Sequence, residues 1–333
     1  MYNFIDITIK KDAETFLNNL DNKSLLIYSE ESIKKINFNN KNVKKVNWHD
    51  ISKDITKINL ILNTYNDVEQ IIGFGGGSTI DIAKYISYKL NIKYICIPTM
   101  LSTNSYATNK VALIDNNNKI TFDAKTPDSI ILDSELLKKS VTYNLYGIAD
   151  ILSIKTALCD WKIAFEDIGE KIDEDIYNKS MKLLNDVIYF ISNNTLEEIS
   201  NDIEKLFEYI GISGEITNIY GSGRPESGSE HIFAKSIETK LKIPHGIAVS
   251  FGIILMTIMQ ENEVDEIINI IKKINVLENS GLYGVNSSII EETLINLLPR
   301  EDRYSIINRF YKNNDYKLEK LKIFYDKVII KGE

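Results

Sequence analysis

Up to Leu132 the chain alternates short apolar runs with polar stretches of helical period. Ser24–Tyr28 (SLLIY), Gln70–Phe74 (QIIGF), Tyr94–Ile97 (YICI, stopped by Pro98) and Ser129–Leu132 read as strands, and Ile58–Leu62 (INLIL) as one more. Between them, Ser78–Leu90 puts Ile80, Ala83, Ile86 and Leu90 on related faces of a helix. Val111–Phe122 has two β-like arms around Asp115-Asn116-Asn117-Asn118, a hairpin signal. Strands alternating with helices predict a mainly parallel sheet covered on both faces. Beyond about Asp133 the pattern changes. From Tyr143 to Lys327 the period is helical, broken only by Pro225, Pro244 and Pro299. The expectation is an α/β nucleotide-binding domain over residues 1–140 and an all-helical metal- and substrate-binding domain over 141–333, with a site in the cleft between them.

Composition narrows the function. The 333 residues are 44% hydrophobic and 26% charged, which is the profile of a folded globular chain. A net charge of −8 argues against a nucleic-acid partner, which calls for a basic face, but leaves room for an anionic small molecule in a local cationic pocket. Charges at Asp6, Lys10, Lys11 and Asp12 interrupt any signal-peptide pattern. No apolar run reaches the roughly 18 residues of a spanning helix; Gly246–Met259 is too short, so no membrane insertion is expected. Cys96 and Cys159 lie in apolar surroundings and read as free thiols of a cytoplasmic protein.

The first chemical signal is Gly73, Gly75, Gly76, Gly77 and Ser78 between a strand and a helix. Glycines let backbone N–H groups approach a phosphate, and the helix start favours negative charge. Ser78 or Thr79 reads as the helix cap, and Asp81 as a first-turn acid. The spacing is neither GxGxxG nor a P-loop, and a purely structural turn is the alternative.

The second signal is histidine. The chain has three, His49, His231 and His245. His231 closes GSGRPESGSEH, where Ser227 or Ser229 suits a helix start, and His245 follows Pro244 at the start of the apolar stretch. A catalytic divalent ion takes about three protein ligands. Asp150, read as lying at a helix start, is the candidate third ligand, with a helix cap as the alternative. Two helix-terminal imidazoles bonded to backbone are the bland reading of the histidine pair. His49 reads as a surface or structural residue.

These segments, taken in order, resemble the iron-containing alcohol dehydrogenase and dehydroquinate synthase superfamily, and within it the glycerol-1-phosphate dehydrogenase branch. The resemblance is carried by GFGGGSTIDIAKY (73–85), IPTMLSTNSYATNKVAL (97–113), YGIADILSIKTALCDWKIA (146–164), and GSGRPESGSEH (221–231) with IPHG (243–246). It implies NAD or NADP with one divalent metal, Zn²⁺ first and Fe²⁺ or Ni²⁺ as alternatives. It places the metal ligands on Asp150, His231 and His245, and the pyrophosphate turn on Gly75, Gly76, Gly77 and Ser78. It places the nicotinamide and substrate segment on Thr99, Ser102, Asn104 and Lys110. Two departures stand near the expected substrate. Ser102-Thr103-Asn104-Ser105 replaces the branch's usual Ser-His-Asp-Gly, and Gly246-Ile247-Ala248 follows His245 where Gly-Glu-Gln is common.

The implied activity is a metal-dependent, NAD(P)-linked oxidation or reduction of a small polyol phosphate, such as sn-glycerol-1-phosphate with dihydroxyacetone phosphate, by a homo-oligomer. Lys110 and Arg224 are candidate contacts to the substrate anion. Ser29, Glu30 and Glu31, after the Ser24–Tyr28 strand, are candidate ribose contacts. Two rivals stand beside this reading. One is a dehydroquinate synthase-like cyclase that recycles NAD; the other is a degenerate member that only binds nucleotide.

Overall fold

The computed structural model describes residues 3–116, 118–278 and 280–328. It divides into two compact units. Residues up to Asn144 form the first together with Asp202–Asn218; Leu145–Asn201 and the residues from Ile219 onward form the second.

The first unit is built on a six-stranded sheet. Its strands are β1 (Thr8–Lys10), β2 (Ser24–Tyr28), β3 (Lys44–Asn47), β4 (Gln70–Gly75), β5 (Lys93–Pro98) and β8 (Ser129–Leu132), in the order β1-β8-β5-β4-β2-β3. Every neighbouring pair is parallel. Leu25, Leu26, Ile27, Ile71, Ile72, Phe74, Ile95 and Ile97 are buried, the near-continuous apolar strands that a sheet covered on both faces requires. Because all the strands run one way, the turns after β2, β4 and β5 share one sheet edge. A separate antiparallel hairpin pairs β6 (Lys110–Asp115) with β7 (Asn118–Asp123), as the alternation predicts. The expected turn residue Asn117 lies outside the described residues.

One expected strand is a helix. Ile58–Leu62 falls inside the helix Ile55–Thr64, capped by Asp54, whose side chain accepts from the amides of Thr56 and Lys57. Four apolar residues among five, interrupted only by Asn59, are too short a run to show either period, so the sequence pattern does not separate the two states. The segment has to carry the chain from β3 back to a parallel β4, a crossover that a helix supplies. Within it Ile58 is buried and Leu60 exposed.

The compact units do not follow the expected contiguous division into 1–140 and 141–333: the first runs to Asn144, and Asp202–Asn218, most of the helix Ile203–Tyr220, returns to it. Tyr106 stacks on Phe207 with ring centroids 4.7 Å apart, and Phe4 packs on Phe207 at 5.5 Å. The Phe4 amide donates to Glu215 at 2.7 Å. Gly211 makes this close packing possible, since a Cβ there would stand 2.2 Å from Phe4 Cζ.

The second unit is helical among the described residues, apart from an isolated bridge between Arg300 and Arg303. Its core is the helix His245–Met259, buried from Gly246 to Met259. Among the described residues, no helix is long and apolar enough to cross a membrane.

Gly211→Ala is expected to lower unfolding stability by about 1–3 kcal/mol through overpacking against Phe4. In a Phe4→Ala background the same change should cost much less, and a denaturant double-mutant cycle measures the difference. Equal costs in the two backgrounds would refute this packing.

Candidate metal centre

Three helices of the second unit supply the site. Asp150 lies near the C-terminal end of Val141–Leu152, not at a helix start as its sequence suggests, and its carboxylate faces the two imidazoles. A carboxylate at that end opposes the helix dipole, so it needs positive charge nearby. His231 is in the first turn of Ser229–Glu238, and His245 opens His245–Met259.

Close helix contacts bring the three together. A Cβ on Gly246 would lie 2.6 Å from the Tyr146 carbonyl oxygen, so the start of that helix rests on the backbone one turn before Asp150. A Cβ on Gly252 would lie 2.5 Å from the Glu230 carbonyl oxygen, so the two histidine-bearing helices cross with almost no side chain between them. The Ser153 hydroxyl lies 2.5 Å from the carbonyls of both Asp150 and Glu226, tying the Asp150 turn to the segment before His231. Asp160 accepts from the Ser229 amide at 2.6 Å and so completes a helix start where Gly228 offers no side-chain cap.

Both imidazoles turn Nε2 toward Asp150 Oδ1, His231 at 3.0 Å and His245 at 3.5 Å. Ligands about 2.1 Å from a tetrahedral ion sit about 3.4 Å from one another. The observed contacts bracket that spacing, and the three ligand atoms lie within 4.8 Å of one another. Each ring's other nitrogen meets a carboxylate: His231 Nδ1 lies 2.8 Å from Glu230 and His245 Nδ1 2.5 Å from Glu238. Such carboxylates fix the tautomer with Nε2 free to coordinate and raise its basicity. The bland reading, with both rings bonded to backbone, does not describe this arrangement.

The electrostatics point the same way. Burial alone would raise the Asp150 carboxyl, yet the two imidazoles hold it well below the usual carboxylate range. Burial alone would depress His231, yet Asp150 and Glu230 raise it to about 9; His245 is raised by Asp150 and Glu238 against the same effect. With neutral rings the three carboxylates carry three formal negative charges around one point. A divalent cation in place of the two extra ring protons supplies the same two positive charges at the point where both Nε2 atoms and the carboxylate meet, so the residues present fit a bound metal.

Glu230, Glu238 and Asp160 are not among the site residues that the sequence predicts. Glu230 was legible as the neighbour of His231, but nothing in the spacing tied Glu238, seven residues upstream, to His245. Glu230 is fully buried and also accepts from Thr156 at 2.7 Å and from the Gly228 amide at 2.5 Å. Burial and the Glu230 charge push Asp160 up to about 6.

Arg224 is placed differently from its expected role as a substrate contact. It is buried, bidentate to Glu170 at 2.9 and 3.0 Å, and donates to the carbonyls of Tyr304 and Asp160. Its charge and planar fork serve the helical packing. His49 is exposed and stacks on Trp48, as a surface residue should.

The expected cofactor residues belong to the first unit, and several gather at one sheet edge. The helix Gly77–Leu90 starts at Gly76 with no side-chain cap, so neither Ser78 nor Thr79 plays the expected capping part. First-turn amides of a helix have no intrahelical acceptor, and here they follow β4 directly. Thr99 after β5 donates its amide to Gly75, and its hydroxyl lies 3.0 Å from Ser32. Ser29 after β2 caps the short helix Glu30–Ile33 and lies 2.8 Å from the Ser32 hydroxyl. Such an edge, at the carboxyl ends of parallel strands, is where open α/β sheets bind nucleotides. Asp81 lies beyond the first turn and points elsewhere, accepting from Lys53 at 3.0 Å and from the Ala112 amide at 3.2 Å. Ser102 is half-buried; Asn104 donates to Ser213 at 3.1 Å; Lys110 pairs with Asp123 across the hairpin.

Comparison with known proteins identifies the class. The family model for iron-containing alcohol dehydrogenase matches residues 10–140. The glycerol-1-phosphate dehydrogenase [NAD(P)+] of Pyrococcus horikoshii is 30% identical over 273 residues, covering 80% of this chain and 77% of that protein. The enzyme of the same name from Methanococcus aeolicus is 29% identical, covering 90% of this chain and 92% of its own. Among solved structures, a probable glycerol dehydrogenase from Sinorhizobium meliloti superposes with a TM-score of 0.67 at 14% identity, covering 95% of both chains. Sulfoacetaldehyde reductase from Bifidobacterium kashiwanohense, in complex with NAD+, gives 0.64 at 13%, covering 93% of this chain and 91% of its own. At such identities these two establish the fold alone. The chain belongs to the iron-containing alcohol dehydrogenase family, in its glycerol-1-phosphate dehydrogenase branch. It is therefore an enzyme of the metal-containing, NAD(P)-linked dehydrogenase class.

Glu230→Gln and Glu238→Gln should each weaken divalent-metal binding by about 10–100-fold, measured by chelator competition on the folded protein. Wild-type affinity in both variants would remove the carboxylates from the metal's support.

Proposed function

We propose that this enzyme interconverts sn-glycerol-1-phosphate and dihydroxyacetone phosphate, with Asp150, His231 and His245 holding one divalent ion and the edge formed by Gly75, Gly76, Gly77 and Ser78 receiving the NAD(P) pyrophosphate. The observation that carries the reading is the convergence of one carboxylate and two carboxylate-backed imidazoles in a chain with three histidines. The substrate rests on the curated relatives, which share that activity in their names.

A divalent ion supplies Lewis acidity toward an alcohol or carbonyl oxygen, and the nicotinamide takes up or donates the hydride. Asp150 provides the one anionic ligand and lowers the net charge of the bound ion. Glu230 and Glu238 hold the two rings in the tautomer that exposes Nε2. The open start of the Gly77–Leu90 helix offers backbone amides to phosphate oxygens. Zn²⁺ suits the donor set, with Fe²⁺ and Ni²⁺ as the other candidates. The free thiols of Cys96 and Cys159 suit a reducing cytoplasm. The intact ligand set speaks against a degenerate nucleotide-binding member, and the relatives' activities do not favour the cyclase.

The test follows NADH and NADPH absorbance with dihydroxyacetone phosphate after loading with Zn²⁺, Fe²⁺ or Ni²⁺. Stoichiometric loss of reduced cofactor is expected. Asp150→Ala should lower kcat/KM on the order of a thousandfold, equivalent to about 4 kcal/mol. Turnover by that variant equal to wild type would overturn the ligand assignment, and substrate consumption with no net cofactor change would favour the cyclase.

A further inference from the structure

Lys84 is wholly buried on the Gly77–Leu90 helix, seven residues after the glycine turn. A lysine following a glycine-rich turn invites a phosphate-binding reading. The structure sends it elsewhere. Its ammonium donates to three backbone carbonyls, Ser105 at 2.7 Å, Thr108 at 2.7 Å and Lys110 at 2.8 Å. An ammonium has three N–H groups, so these acceptors use its whole donor capacity.

The neighbouring residue on the same helix face extends the grip. Asp81, one turn earlier, accepts from the Ala112 amide while paired with Lys53. One helix face thus holds carbonyls at 105, 108 and 110 and an amide at 112. The helix Ile203–Tyr220, in the same unit, holds the segment's other groups. Asn218 accepts from the Asn109 amide at 2.8 Å and donates to the Ala107 carbonyl at 2.9 Å; Ser213 accepts from Asn104 at 3.1 Å. Burying an ammonium without a carboxylate at hydrogen-bond distance is costly, and burial depresses Lys84 to about 8. A local fold alone would be served more cheaply by an apolar side chain. What the cation adds is a fixed geometry where the chain passes from the short 3-10 turn Asn104–Tyr106 through the irregular residues 107–109 into β6.

We infer that Lys84 is a positioning residue: with Asp81, it sets the path of residues 104–112, the segment bearing Asn104 and Lys110, from the helix whose first turn faces the cofactor. The functional half of this inference rests on the substrate reading proposed above; the structural half does not. Lys84 touches neither substrate nor cofactor in this account and acts through the backbone of the segment.

Two measurements test it, on the full chain loaded with metal. In Lys84→Met, hydrogen exchange over residues 104–112 should accelerate by about tenfold or more, while strand β5 keeps its wild-type protection. KM for dihydroxyacetone phosphate should rise, and kcat/KM fall, by about 10–100-fold, with the NADH dissociation constant changed by less than about threefold. Unchanged exchange over 104–112 would overturn the inference. So would a fall in melting temperature with KM and kcat both at wild-type values. If Lys84→Met does not fold, Lys84→Gln keeps two N–H donors and should show the same pattern at smaller amplitude. Wild-type exchange decides independently of any variant: amides of 104–112 exchanging as fast as the exposed 261–263 turn would mean that nothing holds the segment. No turnover of dihydroxyacetone phosphate by the wild-type enzyme would overturn the substrate reading, and exchange alone would then judge the clamp.

Discussion

The second unit is organised by a close crossing of two helices. Gly252 lets His245–Met259 rest on the Glu230 carbonyl, and Gly246 lets its first turn rest on the backbone of Tyr146. With those contacts made, His231, His245 and Asp150 have little freedom to be anywhere but together. The approach also buries Glu230 completely and places Glu238 behind His245. Buried carboxylates are tolerated only where positive charge and hydrogen bonds compensate them. The crossing therefore creates a demand for positive charge at one point, which two ring protons or one divalent ion would supply equally.

The first unit follows from a different constraint. A wholly parallel sheet collects its turns at one edge, and the uncapped start of Gly77–Leu90 makes that edge receptive to an anion. The same helix, one and two turns further on, presents Asp81 and Lys84 to the backbone of residues 105–112. The glycine turn and the segment carrying Asn104 are thereby tied to successive turns of one rigid element. Asp81, a cofactor candidate by sequence, holds backbone instead, and so does Lys84.

Much of this is legible in the amino-acid sequence. Strands at Ser24–Tyr28, Gln70–Phe74 and Tyr94–Ile97 were fixed by apolar runs between turn residues, and the hairpin by its asparagine-rich turn. The scarcity of histidine made His231 and His245 conspicuous. Other features were not legible, each for a physical reason. INLIL has no period, so only the need for a crossover makes it helical. Asp150 reads as a helix start because a short polar residue ahead of an apolar run commonly is one, while the break at Ser153 that sets it near a helix end has no strong sequence mark. Arg224 looked available for an anion, but a long side chain reaches Glu170, fifty-four residues earlier in the chain. The return of Asp202–Asn218 to the first unit depends on Gly211 meeting Phe4, a contact between distant positions that no local pattern records.

The most direct test is X-ray absorption at the zinc edge on protein loaded with one equivalent of Zn²⁺. The account predicts two imidazole nitrogens and a carboxylate oxygen at about 2.0–2.2 Å, with outer-shell scattering from both rings. Sulfur at about 2.3 Å, or an oxygen-only shell without imidazole scattering, would contradict it.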